Sequence, residues 1–245
     1  MKNGNLADYY SLDLKDIYRM KITYLGHSSL QLEINGKHLL VDPFISANPA
    51  ASAIDIQSLK ADYILLTHAH YDHVLDVEAI VKNTKAQIIA NHEIVTFYNT
   101  KYQFEGHAMN QGGSWNFNFG RVKAVNAIHS SSFADGSYGG NPLGFVIQTD
   151  RKTIYIAGDT ALTMDMQLIP LFFKLDLAIL PVGGNFTMDI DEALVASKFI
   201  QCDKILGVHF DTMPAITIDH AESKRKFKEI EKDLILLNLA ESIEI

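Results

Sequence analysis

Between Thr67 and His73 the chain reads THAHYDH, and its chemistry is concentrated there. His68, His70, Asp72 and His73 are four metal-capable side chains within six residues. Neutral imidazole suits zinc, iron, manganese or nickel, and the carboxylate adds a harder ligand that cancels charge. In one tight loop these groups can meet a pair of ions a few ångströms apart. A lone histidine would say little, but donors at this density are a specific signal.

Such donors need elements to position them. His68 follows the compact apolar stretch Tyr63–Leu66, and His129 follows Val122–Ala127. Asp159 follows Thr153–Ala157, and His209 follows Lys204–Val208. Each stretch reads as a short strand, so four strands end in a candidate ligand. Strands ending at one edge of a sheet bring their loops together, and such loops usually carry the chemistry. Further strands are expected over Lys21–Leu25, Leu30–Ile34, His38–Val41, Gln87–Ala90, Gly144–Thr149 and Leu177–Val182. Asn35-Gly36 is a strong hairpin-turn signal. Helices are expected from Asp76 through Lys82, from Asn91 through Tyr98 and over Asp189–Gln201, where Asp191 and Glu192 suit the N-terminal dipole. Asp219-x-x-Glu222 reads as the capping-box start of a helix through Asp233. Tyr102–Gly120 reads as a long turn-rich loop, with Gly112, Gly113 and Trp115, that could cover part of the site. Residues 1–20 read as an N-terminal extension with a short helix around Asp13–Met20, and 21–245 as the main domain. No internal repeat emerges.

Taken together, the motifs resemble those of the metallo-β-lactamase superfamily. HAHYDH looks like its signature. The remaining motifs follow in order: Asp42 in LLVDP, His129 in AIHSSS, Asp159 in AGDT and His209 in GVHFDT. GHSS, MNQGG, GGNFTM and HFDTMP resemble a branch of metal-dependent hydrolases similar to bacterial ascorbate-6-phosphate lactonases. The likeness covers residues 21–220, most of the chain. It implies an α+β fold: an αββα four-layer sandwich of two packed mixed β-sheets flanked by helices, with metals at one edge. It also implies that His68, His70 and His129 bind one metal, that Asp72, His73 and His209 bind a second, and that Asp159 bridges them. His70 stands where redox-active diiron relatives carry Glu, which favours hydrolysis.

The expected cofactor is two divalent metal ions, zinc by default, with manganese, iron or nickel fitting the same ligands. Two such ions can share one water and lower its pKa towards ~7. The resulting hydroxide would attack an acyl carbon or a phosphorus while the metals stabilise the developing charge. The expected function is therefore a metal-dependent hydrolase acting on a small ester, lactone or phosphate ester. A phosphodiesterase or nuclease of the same fold and a non-catalytic metal-binding protein are the alternatives. Asp72 and His27 are the catalytic candidates, with His27 a proton donor to the leaving group or a substrate contact. Asp42 is a candidate acceptor for a ligand histidine, and Asp211, two residues beyond His209, is a second candidate for supporting a ligand from behind. Asn185 and Thr187 follow Gly183-Gly184, where backbone can approach a ligand closely, and read as pocket wall. Relatives often carry His where this chain has Asn185, which leaves hydrogen bonding there rather than acid–base work. Ser28, Ser29 and Ser130–Ser132 read as turn residues, not nucleophiles.

Composition narrows the partners. The net charge is −8, a poor match to nucleic acid or an anionic membrane, so a small-molecule substrate is expected. Apolar residues make up 47%, enough for a large core. The single cysteine, Cys202, excludes an intrachain disulfide and fits a reducing compartment. The first residues lack the apolar core of a signal peptide, and no run approaches the ~18 residues that span a bilayer. A cytoplasmic protein is expected, with assembly into a homo-oligomer left open.

Overall fold

The computed structural model describes residues 20–245. The expected helix around Asp13–Met20 falls outside the described residues except for Met20, which opens the first strand.

Three antiparallel strands come first: β1 (Met20–Gly26), β2 (Ser29–Ile34) and β3 (Lys37–Val41). Asn35 and Gly36 both have positive φ, 50° and 73°, the backbone that a two-residue type I′ hairpin turn requires. The chain then alternates: β4 (Tyr63–Leu65), α1 (Tyr71–Val74), α2 (Val77–Thr84), β5 (Gln87–Asn91), α3 (His92–Tyr102) and β6 (Gly106–Met109). The second half repeats the plan. Antiparallel β7 (Ser114–Phe117), β8 (Gly120–Asn126), β9 (Leu143–Gln148) and β10 (Thr153–Ile156) come first. β11 (Leu177–Pro181), α4 (Ile190–Phe199), β12 (Lys204–Val208), α5 (His220–Glu229) and β13 (Asp233–Ile235) continue in parallel pairing. Finally β14 (Ser242–Glu244) crosses back to pair with β1.

The result is two mixed seven-stranded sheets, ordered β14-β1-β2-β3-β4-β5-β6 and β13-β12-β11-β10-β9-β8-β7. Three antiparallel pairings followed by three parallel ones occur in each. The architecture therefore contains a structural repeat that the sequence does not reveal.

Strand periodicity divides the apolar side chains among three layers. Leu39, Val41, Leu65 and Ile89 of the first sheet meet Val122, Phe145, Ile147 and Ile154 of the second in the central core. Their neighbours Leu40, Ile64 and Ile88 face the other way and pack on Val77, Ile80 and Ile94 of α2 and α3. Val146, Tyr155, Ala178 and Leu180 do the same beneath Ala193 and Ala196 of α4 and Phe227 of α5. Strands buried on both faces are the mark of the parallel parts of a sheet, and β10 and β11 are buried throughout.

Two expectations need correcting. Tyr102–Gly120 is not a loop: it contains β6 and β7, the edge strands of the two sheets. Its Trp115 is more than half exposed and stacks at an angle on His107. The last helix stops at Glu229 instead of Asp233, because Asp233 opens β13 beside β12.

Candidate metal centre

The donors lie on loops leaving the strand ends. His27 follows β1, Asp42 follows β3, and the His68–His73 run follows β4. From the other sheet come His129 after β8, Asp159 after β10 and His209 after β12. Backbone hydrogen bonds tie these ends together. His209 N donates to the His27 carbonyl at 2.9 Å, and Leu143 N donates to the Thr67 carbonyl at 2.8 Å, each joining one sheet to the other.

The backbone here is bent out of the ordinary regions. His27, Asp42, Asn185, His209 and Asp211 have φ of 55°, 44°, 51°, 57° and 57°. Each such residue costs on the order of 1 kcal/mol, and clusters of them occur where surrounding structure imposes the shape. Gly183 is required for close approach, because a Cβ there would run into the His209 carbonyl. Gly158, just before Asp159, has φ of 65° and leaves no room for a Cβ beside Thr67.

Asp159 is the centre of the constellation. Its Oδ2 lies 3.0 Å from His209 Nε2, 3.3 Å from His73 Nε2, 3.7 Å from His129 Nε2 and 3.9 Å from His68 Nε2. Around it the donors fall into groups whose atoms all lie within 4.8 Å of one another. His68, His70 and His129 form one group; His27, Asp72, His73 and His209 form another. His68 Nε2 and His70 Nδ1 face each other at 3.0 Å. All seven residues expected as ligands thus converge. His68, His73, Asp159 and His209 are buried, while His70, Asp72 and His129 remain partly open to solvent.

Outer partners fix the rings. The Asp42 Oδ2 receives both His73 Nδ1, at 2.9 Å, and the Thr67 hydroxyl, at 2.6 Å. Thr67 Oγ1 in turn meets His68 Nδ1 at 3.0 Å, so one carboxylate steadies a histidine in each group. Ser130 Oγ meets His70 Nε2 at 3.2 Å, leaving Nδ1 to face the cluster. Sequence reasoning missed Thr67 and Ser130 as partners of ligands; each is chain-adjacent to a ligand, the one signal available. His27 is 1% exposed and has both ring nitrogens engaged: Nε2 with Asp72 Oδ2 at 3.0 Å and Nδ1 with Thr212 Oγ1 at 2.9 Å. Asp211 turns away from the donors, accepting from Ile218 N and pairing with His220. Asn185 and Thr187 lie on the loop after β11, which is anchored beside Asp159 by Met188 N donating to the Thr160 carbonyl at 3.1 Å. Exposed apolar side chains interrupt the donor loops: Tyr71 between two ligands, Ile128 beside His129, and Phe186 beside Thr187.

The electrostatics call for a cation. Burial lowers His68, His70 and His129, keeping them neutral with a lone pair to offer. Burial likewise pushes His27 down to about 4, although Asp72 pulls it upward. Burial alone would raise Asp159, but His73 and His209 outweigh it and hold the carboxyl well below the usual carboxylate range. Burial would lower His73, yet Asp159 and Asp42, facing its two nitrogens, raise it well above an ordinary imidazole. Asp159 Oδ1 and His73 Nε2 are nevertheless buried without a hydrogen-bond partner. Buried polar atoms are rarely left so. A buried carboxylate with an orphaned oxygen beside the neutral imidazoles of His68 and His129 fits a divalent ion, and mixed nitrogen and oxygen donors suit zinc, manganese, iron or nickel.

Known proteins resemble this chain in sequence and in fold. A family profile described as beta-lactamase superfamily domain matches residues 21–209. A protein of Flavobacterium johnsoniae named UPF0173 metal-dependent hydrolase is 66% identical over 92% of this chain and 100% of its own length. One of the same name from Methylacidiphilum infernorum is 46% identical, over 91% of this chain and 99% of its length. Among solved structures, Igni18, a metallo hydrolase from the archaeon Ignicoccus hospitalis, superimposes with a TM-score of 0.84 at 33% identity. It covers 93% of this chain and 98% of its own.

Proposed function

The chain belongs to the metallo-β-lactamase superfamily, in its branch of UPF0173 metal-dependent hydrolases, and from that premise we propose that it hydrolyses a small ester or lactone with the help of two divalent ions. The observation that carries the reading is Asp159, whose one oxygen lies within 3.0–3.9 Å of imidazole nitrogens from both donor groups. On this reading His68, His70 and His129 hold one ion, Asp72, His73 and His209 the other, and Asp159 both. Zinc is the first expectation, with manganese, iron or nickel as substitutes.

When bound, such ions supply a deprotonated water at neutral pH and polarise the electrophile. The chain's own groups do the positioning. Asp42 and Thr67 hold His73 and His68 as tautomers whose Nε2 faces the centre. Ser130 does the same for Nδ1 of His70. Substrate would enter from the side of His70, Asp72 and His129, the donors left partly exposed. Tyr71, Ile128 and Phe186 would hold an apolar acyl or ring portion there and exclude water, while Asn185 and Thr187 would hydrogen-bond to its polar atoms.

A phosphate ester of the same size is the second reading, and a phosphodiesterase or nuclease the third. The segments bearing the donors, 26–29, 41–45, 66–73, 127–132, 157–163, 183–189 and 207–214, contain no lysine or arginine. In these segments a phosphate would find no cationic side chain to pair with, and a nucleic acid little to pair its backbone, which favours the uncharged ester or lactone. A cytoplasmic setting suits the single buried Cys202, and no described helix is long and apolar enough to cross a membrane.

A panel of lactones, carboxylic esters, phosphomonoesters and bis-aryl phosphates, assayed with elemental analysis of the purified protein, tests the reading. Two ions per chain and fastest turnover on lactones or esters are expected. Asp159→Ala should hold less than one ion per chain and lose at least ~10³-fold in turnover while keeping its circular dichroism. Full metal content and activity in that variant would disprove the bridging role.

A further inference from the structure

His27 is the donor that the two-ion reading leaves without a task. Both its nitrogens are engaged and it is 1% exposed, so no leaving group on the open side meets it. Its Nε2 instead belongs to a group, with Asp72, His73 and His209, whose donor atoms all lie within 4.8 Å of one another.

Three observations bear on what that nitrogen does. The first is spacing. His27 Nε2 lies 3.0 Å from Asp72 Oδ2, the same separation as His68 Nε2 from His70 Nδ1 and as His209 Nε2 from Asp159 Oδ2. Two ligands on one ion with bonds of about 2.1 Å at near right angles lie ~3 Å apart. The second is the tautomer. Thr212 Oγ1 lies 2.9 Å from His27 Nδ1 and 3.3 Å from the Phe210 carbonyl; with its proton turned to that carbonyl, the hydroxyl oxygen accepts from His27 Nδ1. A neutral imidazole that donates from Nδ1 has a bare Nε2. A bare nitrogen facing a carboxylate oxygen repels it unless both bind a cation. The third is placement. His27 holds a left-handed φ of 55°, its carbonyl receives His209 N at 2.9 Å, and its ring lies 4.2 Å from that of His209. The backbone that positions one ligand of this group also aims His27.

We propose that His27 Nε2 is a further ligand of the ion held by Asp72, His73, His209 and Asp159, with Thr212 fixing its tautomer. This assignment rests on the two-ion reading above and deepens it. The two ions then differ. One has four protein ligands and an open side next to His70 and His129. The other has five, a set that suits manganese, iron, nickel or cobalt better than four-coordinate zinc.

The test uses the whole protein loaded with ¹¹³Cd and carrying ¹⁵N-labelled histidine. Expected are ¹¹³Cd–¹⁵N couplings at Nε2 of His73, His209 and His27, with the His27 proton on Nδ1. In parallel, cobalt titration of His27→Gly should show one of two ions bound at least tenfold more weakly. Glycine accepts the left-handed backbone and offers no donor. The visible band should also intensify as the five-ligand ion loses a ligand. Thr212→Val should weaken the same ion and leave the other unchanged. Couplings at His73 and His209 without one at His27, or unchanged cobalt affinity and spectrum in His27→Gly, would overturn the ligand assignment alone. A wild-type protein that binds fewer than two ions would overturn it together with the two-ion reading.

Discussion

Asp42 illustrates how much of the site rests on single atoms. One of its oxygens accepts from both Thr67 and His73, and the other from the Thr67 backbone N–H at 2.8 Å. It touches no ion on our reading, yet it decides which nitrogen of His73 points inward. Asp42→Asn keeps the size but must donate from one of these positions. The expected result is a 10–100-fold loss of metal affinity with the fold retained, measured by chelator competition. His70 is steadied only by Ser130 and stays partly exposed. Ser130→Ala should therefore weaken binding less than Asp42→Asn does, and equal effects would mean that Asp42 has no special role.

The strands and loops carry these side chains with uneven legibility. Tyr63–Leu65 and Lys204–Val208 were readable as strands because their apolar residues are buried on both faces and the donor follows at once. Asn91 and Asp189 were readable as helix starts, and both side chains cap as their types suggest. Asp76 stands at a helix start as expected, but its carboxylate turns instead to Ile45 N and Ser46. β7 escaped notice because Ser114–Phe117 is short, mostly exposed and set among turn residues, although Trp115 and Phe117 do alternate with Ser114 and Asn116. β13 and β14 are three residues each, too short to show a period. The left-handed turns at His27, Asp42 and His209 were equally hidden, because Asp and His favour positive φ more than most residues yet still adopt it rarely. Gly183 does announce a close approach. Gly183→Ala should push the His209 carbonyl away, lowering affinity for one ion tenfold or more while shifting Tm by only a few degrees. Elemental analysis beside thermal unfolding checks this.

For the molecule as a whole, three apolar layers carry the stability, and bound ions would add to it. Chelation should abolish activity and lower Tm without unfolding the chain at 25 °C, since an ion that binds only the folded state contributes in proportion to the logarithm of its concentration over Kd. Acid should release the ions, because protons compete for the same lone pairs. Burial lowers His68, His70 and His129, so fewer protons compete at a given pH. Retention of the ion on these three should therefore persist below pH ~6.5, the ordinary imidazole midpoint, whereas His73, raised well above that, gives a proton the advantage at the other ion and should release it first. Dialysis across pH 4–8 followed by elemental analysis tests this, and release complete by pH 7 would contradict it.

The donors are shared between the sheets. His27, His68, His70, Asp72 and His73 leave the first, while His129, Asp159 and His209 leave the second. Cations seated among them would act as a clasp across the top of the sandwich, as the amide of His209 does on a smaller scale. Amide hydrogen exchange should register the clasp. In the stripped protein the strand ends at Leu66 and Val208 can open separately. In the loaded protein they should slow together and by similar factors, as though the duplicated halves had become one cooperative unit.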